Sequence, residues 1–166
     1  MWVTWLFVLI SLEFGECSCP DLFEQIGECC YYFSHDHTSS GATWYDARTY
    51  CQELGTLLDK PIDLAEVGTT DNKCDDLKLM ETIGTSKVAH TYFGGSDEGH
   101  EGTFQWKYSG QKLNIKNSLW YHDRPLHGSH GDTSDCLLAA IWGDYDRAYF
   151  TDWSCDSHYQ FVCQIF

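Results

Sequence analysis

Apolar side chains recur through residues 44–54 with the spacing of one face of an α-helix. They stand three or four positions apart, at Trp44, Ala47, Cys51 and Leu54. Thr43 precedes them and is a residue type that caps helix N-termini, whereas Gly55 is a type that commonly follows a helix C-terminus. The pattern predicts a first helix that ends at Gly55 and turns Cys51 toward the core.

A second helix is predicted over residues 71–83. Its apolar face carries Cys74, Leu77, Met80 and Ile83, and Gly84 follows as the residue that ends it.

Shorter apolar runs predict strands on both sides of the second helix. The predicted strands form an N-terminal hairpin (residues 19–23 and 30–33) and four later elements (residues 88–93, which lead into a Gly94-Gly95 turn, 104–106, 137–142 and 148–153), with 160–166 as the last strand. Residues 107–135 show little apolar periodicity, which predicts a long loop. Two helices among several strands predict an α+β domain, with Trp44, Trp106, Trp142 and Trp153 in its core.

The first residues of the chain have the composition of a secretory signal peptide. An apolar run extends from Trp2 to Leu12, which is shorter than the roughly 20 residues that span a bilayer. Small residues Gly15 and Cys17 precede Ser18, where cleavage is expected. The sequence therefore predicts a removed leader at residues 1–17 and a single domain at residues 18–166.

Cysteine content and charge narrow the classes of function. Nine cysteines in so short a chain indicate a disulfide framework made in an oxidising compartment, and cleavage before Ser18 leaves an even eight. A formal net charge of −15 disfavours nucleic acid as a partner, because phosphate backbones are repelled. No later stretch is apolar enough to cross a membrane. The chain is therefore predicted to be secreted and extracellular.

The order of several short motifs resembles that of the C-type lectin-like domain. The motifs are Trp44-x-x-Ala47-x-x-x-Cys51, Phe93-Gly94-Gly95, Trp106, Ser134-Asp135-Cys136, Asp152-Trp153-Ser154-Cys155 and Phe161-Val162-Cys163. The resemblance runs from about Cys19 to the C-terminus. It implies two helices packed on a twisted antiparallel sheet, with a long irregular loop, between Trp106 and Cys136, where family members bind ligands.

The resemblance also implies three disulfides. By the family's positions these are Cys19–Cys30, Cys51–Cys163 and Cys136–Cys155. Cys29 and Cys74 remain, and a bridge between them is reasonable if the second helix packs beside the N-terminal hairpin.

The family's principal calcium and sugar site is degenerate in this chain. Family members that bind sugars hold one calcium with a Glu-Pro-Asn triplet, a Glu before the Asp-Cys pair, and an Asn-Asp pair near the next cysteine. The proline survives as Pro125 and the last aspartate as Asp152, but the remaining positions hold Arg124, Leu126, Ser134 and Thr151. Arg124 brings a positive charge, and no adjacent carboxylate offsets it. No calcium-bridged sugar binding is expected here.

A second, auxiliary calcium site of the family is better retained. The resemblance places it at Asp97, Glu101 and Asp135, whereas its other acidic positions hold His127 and Ser134. Calcium takes about six to eight oxygen ligands, so three carboxylates make a partial site. This is the single position where calcium binding is possible. The alternative is that Asp97 and Glu101 shape the turn that contains them.

Histidines and carboxylates in the same loop raise the possibility of a zinc site. The candidates are His122, His127, His130, Asp123, Asp132 and Asp135. No helix fixes their spacing, as it does in an H-E-x-x-H site, and no G-x-S-x-G motif is present. The sequence therefore predicts no enzyme.

The remaining candidate chemistry is ligand contact by the loop. Tyr121, His122 and Arg124 form a predicted contact patch, to which Leu126 and Asp152 belong by position. Tyr145 and Tyr149 also lie in or beside this region, whereas Trp120 resembles a core residue of the family. The prediction is a secreted recognition module for glycans, including those of microbial surfaces. The alternative is a protein-binding module that uses the same loop without calcium.

Overall fold

The structure is a computed structural model. It describes residues 18–68, 73–86, 88, 90–113, 119–122, 124–125, 134–143 and 147–166. The predicted leader lies outside these ranges, as do Asp123, Leu126, His127, His130, Asp132 and Tyr145, so predictions that depend on them stay predictions.

Two α-helices and eight strands make up the described part of the chain. The helices are α1 (Trp44–Leu58) and α2 (Asp76–Thr85). The strands are β1 (Glu24–Ile26), β2 (Cys29–Phe33), β3 (Ile62–Leu64), β4 (His90–Ser96), β5 (Gln105–Trp106), β6 (Cys136–Ala140), β7 (Tyr149–Trp153) and β8 (Gln160–Ile165). The α+β prediction is confirmed, and β3 is a strand that the sequence reasoning missed.

The strands form one sheet in the order β1-β2-β8-β4-β6-β7, with β3 added to β8 and β5 to β4. The predicted antiparallel sheet is wrong in one respect, because the sheet is mixed. Strand β8 lies antiparallel to β2 but parallel to β4, where Thr91 pairs with Gln160 and Tyr92 with Phe161. This insertion of the last strand places the N-terminal hairpin at one edge of the sheet and β6 and β7 at the other.

Helix α1 begins where the sequence predicts and ends later. The Thr43 hydroxyl accepts a hydrogen bond from the Asp46 N–H at 3.1 Å, and Cys51 is fully buried. The predicted end at Gly55 is wrong, since the helix continues to Leu58 and Asp59 adopts the left-handed conformation with φ 53°. A Cβ on Gly55 would lie 2.8 Å from the Lys60 carbonyl oxygen. Glycine at this position therefore lets the chain that leads into β3 pack directly against the helix.

Helix α2 is shorter than predicted and is shifted toward the C-terminus. The Asp75 carboxylate caps it by accepting a hydrogen bond from the Lys78 N–H at 3.0 Å. The helix therefore starts after Cys74 and extends one residue past Gly84. The predicted apolar face is wrong at Leu77, which is 53% exposed. The buried face is instead formed by Leu79, Met80 and Ile83.

The predicted Gly94-Gly95 turn is also wrong, because both glycines lie inside β4. A Cβ on Gly94 would come within 2.8 Å of the Leu64 carbonyl oxygen. Gly94 therefore allows β3 and β4 to approach closely, and the chain reverses only after Ser96.

Four disulfides join the elements, with the pairings expected above: Cys19–Cys30, Cys29–Cys74, Cys51–Cys163 and Cys136–Cys155. Cys74 forms the expected bridge to Cys29, but it precedes α2 instead of lying in that helix. Its backbone forms an isolated antiparallel bridge with Gly27 in the β1–β2 turn. The loop that carries Cys74, not a helix, is therefore fastened to the hairpin.

Two of the four tryptophans that were predicted to lie in the core are buried. Trp44 and Trp106 are buried, and Trp120 packs edge-on against Phe104 with ring centroids 5.4 Å apart. Trp142 and Trp153 are only partly buried, and Trp142 follows β6 instead of lying in it. Trp142 is therefore positioned at the rim of the sheet.

Candidate functional site

An ion pair occupies the position where the family resemblance places the principal calcium and sugar site. The Arg124 Nη1 atom lies 3.1 Å from Asp152 Oδ1. The Asp152 side chain is only 3% exposed, and that of Arg124 is 18% exposed. The expectation that no carboxylate offsets Arg124 is wrong, because Asp152 does so across 28 positions of sequence. The carboxylate that matches a calcium ligand is therefore held by a cation of the chain itself.

The local backbone explains how Arg124 reaches Asp152. The Tyr121 N–H donates to the Phe150 carbonyl oxygen at 2.9 Å, and the Arg124 N–H closes a turn onto the Tyr121 carbonyl oxygen at 3.1 Å. These bonds hold the loop against β7, which carries both Phe150 and Asp152. Thr151, also buried, places its hydroxyl 3.4 Å from Asp152 Oδ1. The ion pair is thus supported from strand and loop.

Aromatic rings surround Tyr121 beside this pair. The Tyr121 and Trp142 rings stack with centroids 5.0 Å apart and an angle of 23° between their planes. Tyr149 approaches Tyr121 edge-on at 6.3 Å, and the Arg147 guanidinium lies 4.9 Å from the centre of the Tyr149 ring. We call Tyr121, Trp142, Arg147 and Tyr149 the aromatic patch.

Sequence reasoning found only part of the aromatic patch. Tyr121 was predicted as a contact residue and Tyr149 as a neighbour of the loop, but Trp142 was assigned to the core and Arg147 was missed. Both of the missed residues belong to the connection between β6 and β7. The signal available was Gly143, which ends the apolar run of β6 directly after Trp142. His122 is exposed at the edge of Tyr121, with ring centroids 5.9 Å apart.

The predicted auxiliary calcium residues lie near one another. The Asp97 N–H donates to the Asp135 carbonyl oxygen at 3.1 Å. The Asp97 carboxylate is 4% exposed and accepts a hydrogen bond from the Gly102 N–H at 2.8 Å through Oδ2. Its Oδ1 atom is buried and has no hydrogen-bond partner among the described residues. Glu101 is exposed and Asp135 is partly buried.

Burial shifts the titration of Asp97. Loss of solvent raises the pKa of its carboxyl to about 6, the charges of Glu101 and Asp135 add to the rise, and the Gly102 N–H opposes it. Burial is the main cause of the shift, so a cation beside this carboxyl would favour its ionised form.

The acidic residues nevertheless do not converge as a ready-made metal site. Within the described ranges, no group of three or more His, Cys, Asp or Glu side chains is arranged to hold a metal ion. Calcium at Asp97, Glu101 and Asp135 would require these side chains to move together and other oxygens to complete the shell. Of the residues considered for zinc, only His122 and Asp135 fall in the described part of the chain. Calcium therefore stays a prediction.

A protein-family model described as the lectin C-type domain matches residues 40–165. Among curated proteins, lithostathine-1 of Mus musculus is 23% identical over 156 residues, which cover 93% of this chain and 83% of that protein. CD209 antigen of Gorilla gorilla gorilla is 24% identical over 123 residues, which cover 68% of this chain. The chain matches about a quarter of that relative's length, 26%.

Solved structures show the same fold at low identity. The C-type lectin CEL-I from Cucumaria echinata superposes with a TM-score of 0.67 at 19% identity, covering 89% of this chain and 97% of that one. The C-type lectin domain of murine dendritic cell inhibitory receptor 2, solved in complex with an N-glycan, gives a TM-score of 0.63 at 18% identity, with coverage of 89% and 98%.

Proposed function

Since the chain belongs to the C-type lectin domain family, we propose that it is a secreted recognition module that binds glycans, including those of microbial surfaces, without a bridging calcium ion. The binding surface consists of the aromatic patch together with His122 and Arg124. The predicted contribution of Leu126 belongs to the same surface by position in the sequence.

The ion pair between Arg124 and Asp152 is the observation that carries this proposal. A calcium ion at this position would have to displace a guanidinium from a carboxylate that is only 3% exposed. At about 4 Å and an effective dielectric constant of about 20, a divalent ion and a unit positive charge repel by roughly 8 kcal/mol before screening. A sugar held by calcium is therefore disfavoured where the pair forms.

The aromatic patch supplies chemistry that recognises sugars directly. Ring faces stack on the apolar faces of sugar rings, and histidine and arginine N–H groups donate hydrogen bonds to hydroxyl oxygens. Tyr121, Trp142 and Tyr149 are all partly exposed. The similar receptor domain solved with an N-glycan supports a glycan as the ligand class.

Secretion is supported by two features of the chain. The four disulfides suit an oxidising compartment. The apolar run of residues 2–12 is typical of a leader. Among the described residues, no helix has both the length and the apolar character needed to cross a bilayer.

A glycan array tests the proposal. The disulfide-bonded domain is applied in calcium and in chelator, and binding is expected to be the same in both. Tyr121→Ala and Arg124→Ala should each weaken binding about tenfold or more. Tyr108→Ala is the matched control, since this tyrosine is 45% exposed and lies outside the proposed surface. Binding abolished by chelator and by Asp152→Ala, but unaffected by Arg124→Ala, would contradict the proposal.

The composition of the aromatic patch also favours a second candidate, a protein ligand. Trp, Tyr and Arg are the residue types that dominate binding hot spots between proteins. Binding to an extracellular surface should then survive enzymatic removal of glycans and fall in Trp142→Ala. Loss of binding after deglycosylation would exclude this alternative. In neither case do we propose an enzymatic activity, and turnover that disappears on zinc removal would contradict that view.

A further inference from the structure

A pocket of about 380 Å³ lies between the β1–β2 turn, the segment that follows β3 and the end of β8. This volume falls within the range of about 300–1,000 Å³ that is usual for ligand pockets. Its charged lining residues are Glu28, Glu66 and Lys73, and the rings of Tyr108 and Phe166 also line it. Its described lining includes neither the aromatic patch nor the residues around Asp97.

Glu66 lines this pocket and is fully buried. It therefore lies at the base of the pocket. Its Oε1 atom accepts hydrogen bonds from the Tyr108 N–H at 2.8 Å and the Ser109 N–H at 3.0 Å. Its Oε2 atom has no hydrogen-bond partner among the described residues. One carboxylate oxygen therefore fixes the turn at residues 108–109, and the second is left for another group.

A positive partner would stabilise the ionised form of Glu66 in this pocket. Burial raises the pKa of its carboxyl, and the charge of Asp63 raises it further, against the lowering by hydrogen bonds from Ser109 and Tyr108. Lys73 is exposed at the rim, where its Nζ atom lies 3.6 Å from Glu28 Oε2. Among the described residues, no ion pair joins Lys73 to Glu66.

The aromatic wall suits the same kind of ligand. The Tyr108 and Phe166 rings stack with centroids 3.9 Å apart, and Tyr108 is 45% exposed. A cationic group over such a ring is attracted by its negative face. Tyr108 also lines a neighbouring open pocket of about 520 Å³ that contains Asp59 and Asp63. The two pockets meet at Tyr108 and form one groove. A bound peptide could therefore extend along the groove on both sides of the side chain that enters the first pocket.

We propose that this pocket binds the guanidinium or ammonium end of a basic side chain presented by a protein or peptide partner. The Glu66 carboxylate pairs with the cationic group, and the Tyr108 ring packs against it. The formal net charge of −15 complements a basic partner. The proposal does not rest on glycan recognition, since the two surfaces are lined by different residues.

Titration of the isotope-labelled, disulfide-bonded domain in an NMR experiment tests the proposal. The probe is N-acetyl-arginine amide, and N-acetyl-citrulline amide is the matched control that keeps the shape and removes the charge. Saturable shifts of the Tyr108 and Ser109 amides are expected for arginine, with affinity at least about tenfold higher than for citrulline. Glu66→Gln and Tyr108→Ala should each weaken arginine binding about fivefold or more, whereas Tyr121→Ala should leave it unchanged.

Three results would overturn the proposal. They are equal affinities for arginine and citrulline, unchanged binding in both variants, and no saturable shift up to tens of millimolar probe. A requirement for calcium would likewise identify a metal site instead. Where Glu66→Gln fails to fold, Tyr108→Ala and the comparison with citrulline decide the matter, because the exposed tyrosine lies outside the core.

Discussion

Two buried carboxylates of this domain have opposite surroundings. Asp152 is 3% exposed and pairs with the Arg124 guanidinium, whereas Asp97 is 4% exposed and has acidic neighbours. Both residues match calcium ligands of the family. The contrast shows that one carboxylate is paired with a cation of the chain, while burial and acidic neighbours favour the protonated form of the other. The two positions that resemble calcium sites of the family therefore differ in electrostatic surroundings, and calcium at Asp97 stays a prediction.

Removal of the internal cation should have the largest effect. Arg124→Met leaves Asp152 buried without its partner, and we expect a loss of about 3–5 kcal/mol in the free energy of unfolding at pH 7. Replacement of both residues, as Arg124→Met with Asp152→Leu, should recover most of that loss. Urea unfolding measures both. The matched control is Arg147→Met, because that guanidinium lies over an aromatic ring. Equal losses in the two single variants would show that the pair between Arg124 and Asp152 stabilises the fold no more than the contact of Arg147 with its ring does.

Neutralisation of Asp97 should act in the opposite direction. The folded pKa, raised to about 6, exceeds the ordinary value of 3.8, so the protonated form is preferred in the folded state. The resulting stability is present below about pH 4 and is lost as pH rises through 6. Asp97→Asn mimics the protonated form and should stabilise the domain by roughly 1–3 kcal/mol at pH 7 in chelator. Near pH 4 the variant and the parent should unfold alike. A destabilised variant at pH 7 would show that Asp97 has an unrecognised cationic partner.

Calcium should give a smaller effect, confined to the same position. With a dissociation constant typical of extracellular calcium modules, a few millimolar calcium should stabilise the domain by about 1–2 kcal/mol. Thermal unfolding with calcium and with chelator measures the shift, which Asp97→Asn should abolish. An unchanged melting temperature would leave Asp97, Glu101 and Asp135 with a purely structural role in their turn.

The smallest effect on stability is expected at His122. This side chain is exposed, so His122→Ala should change the free energy of unfolding by less than about 0.5 kcal/mol. Its effect on glycan binding should be several-fold if the surface beside Arg124 is the ligand site. An affinity that stays unchanged would confine the contact to the aromatic rings.

Local patterns in the sequence predicted those parts of the fold that depend on neighbouring residues. The start of α1 follows from Thr43 and from the helical spacing of Trp44 and Cys51. The cysteine pairs followed from the family's positions together with the two cysteines that remained. The end of α1 was missed because Gly55 serves close packing against a later segment, which a local pattern does not reveal. Strand β3 was missed because three residues carry too little periodicity.

The candidate site was harder to predict because its contacts join distant parts of the chain. The resemblance placed Arg124 and Asp152 at the same site, but no local pattern in the sequence indicates that their side chains form an ion pair. Tryptophan is a residue type that is often buried in a core. Trp142 instead follows the end of β6 and stacks on Tyr121. The unpartnered oxygen of Glu66 likewise depends on which backbone N–H groups approach it. Charge pairing and ring stacking of this kind depend on the tertiary structure.

The insertion of β8 beside β2 has a mechanical consequence. In this antiparallel pair, Tyr31 lies opposite Gln164 and Tyr32 opposite Cys163. The N-terminal end of β2 and the C-terminal end of β8 therefore lie at the same end of the ladder. Tension applied at the C-terminal end of β8 would separate Gln164 from Tyr31 first. It would then reach Cys163, whose disulfide to Cys51 passes the load to α1. The last strand is therefore fixed covalently to a helix two residues before the strand ends.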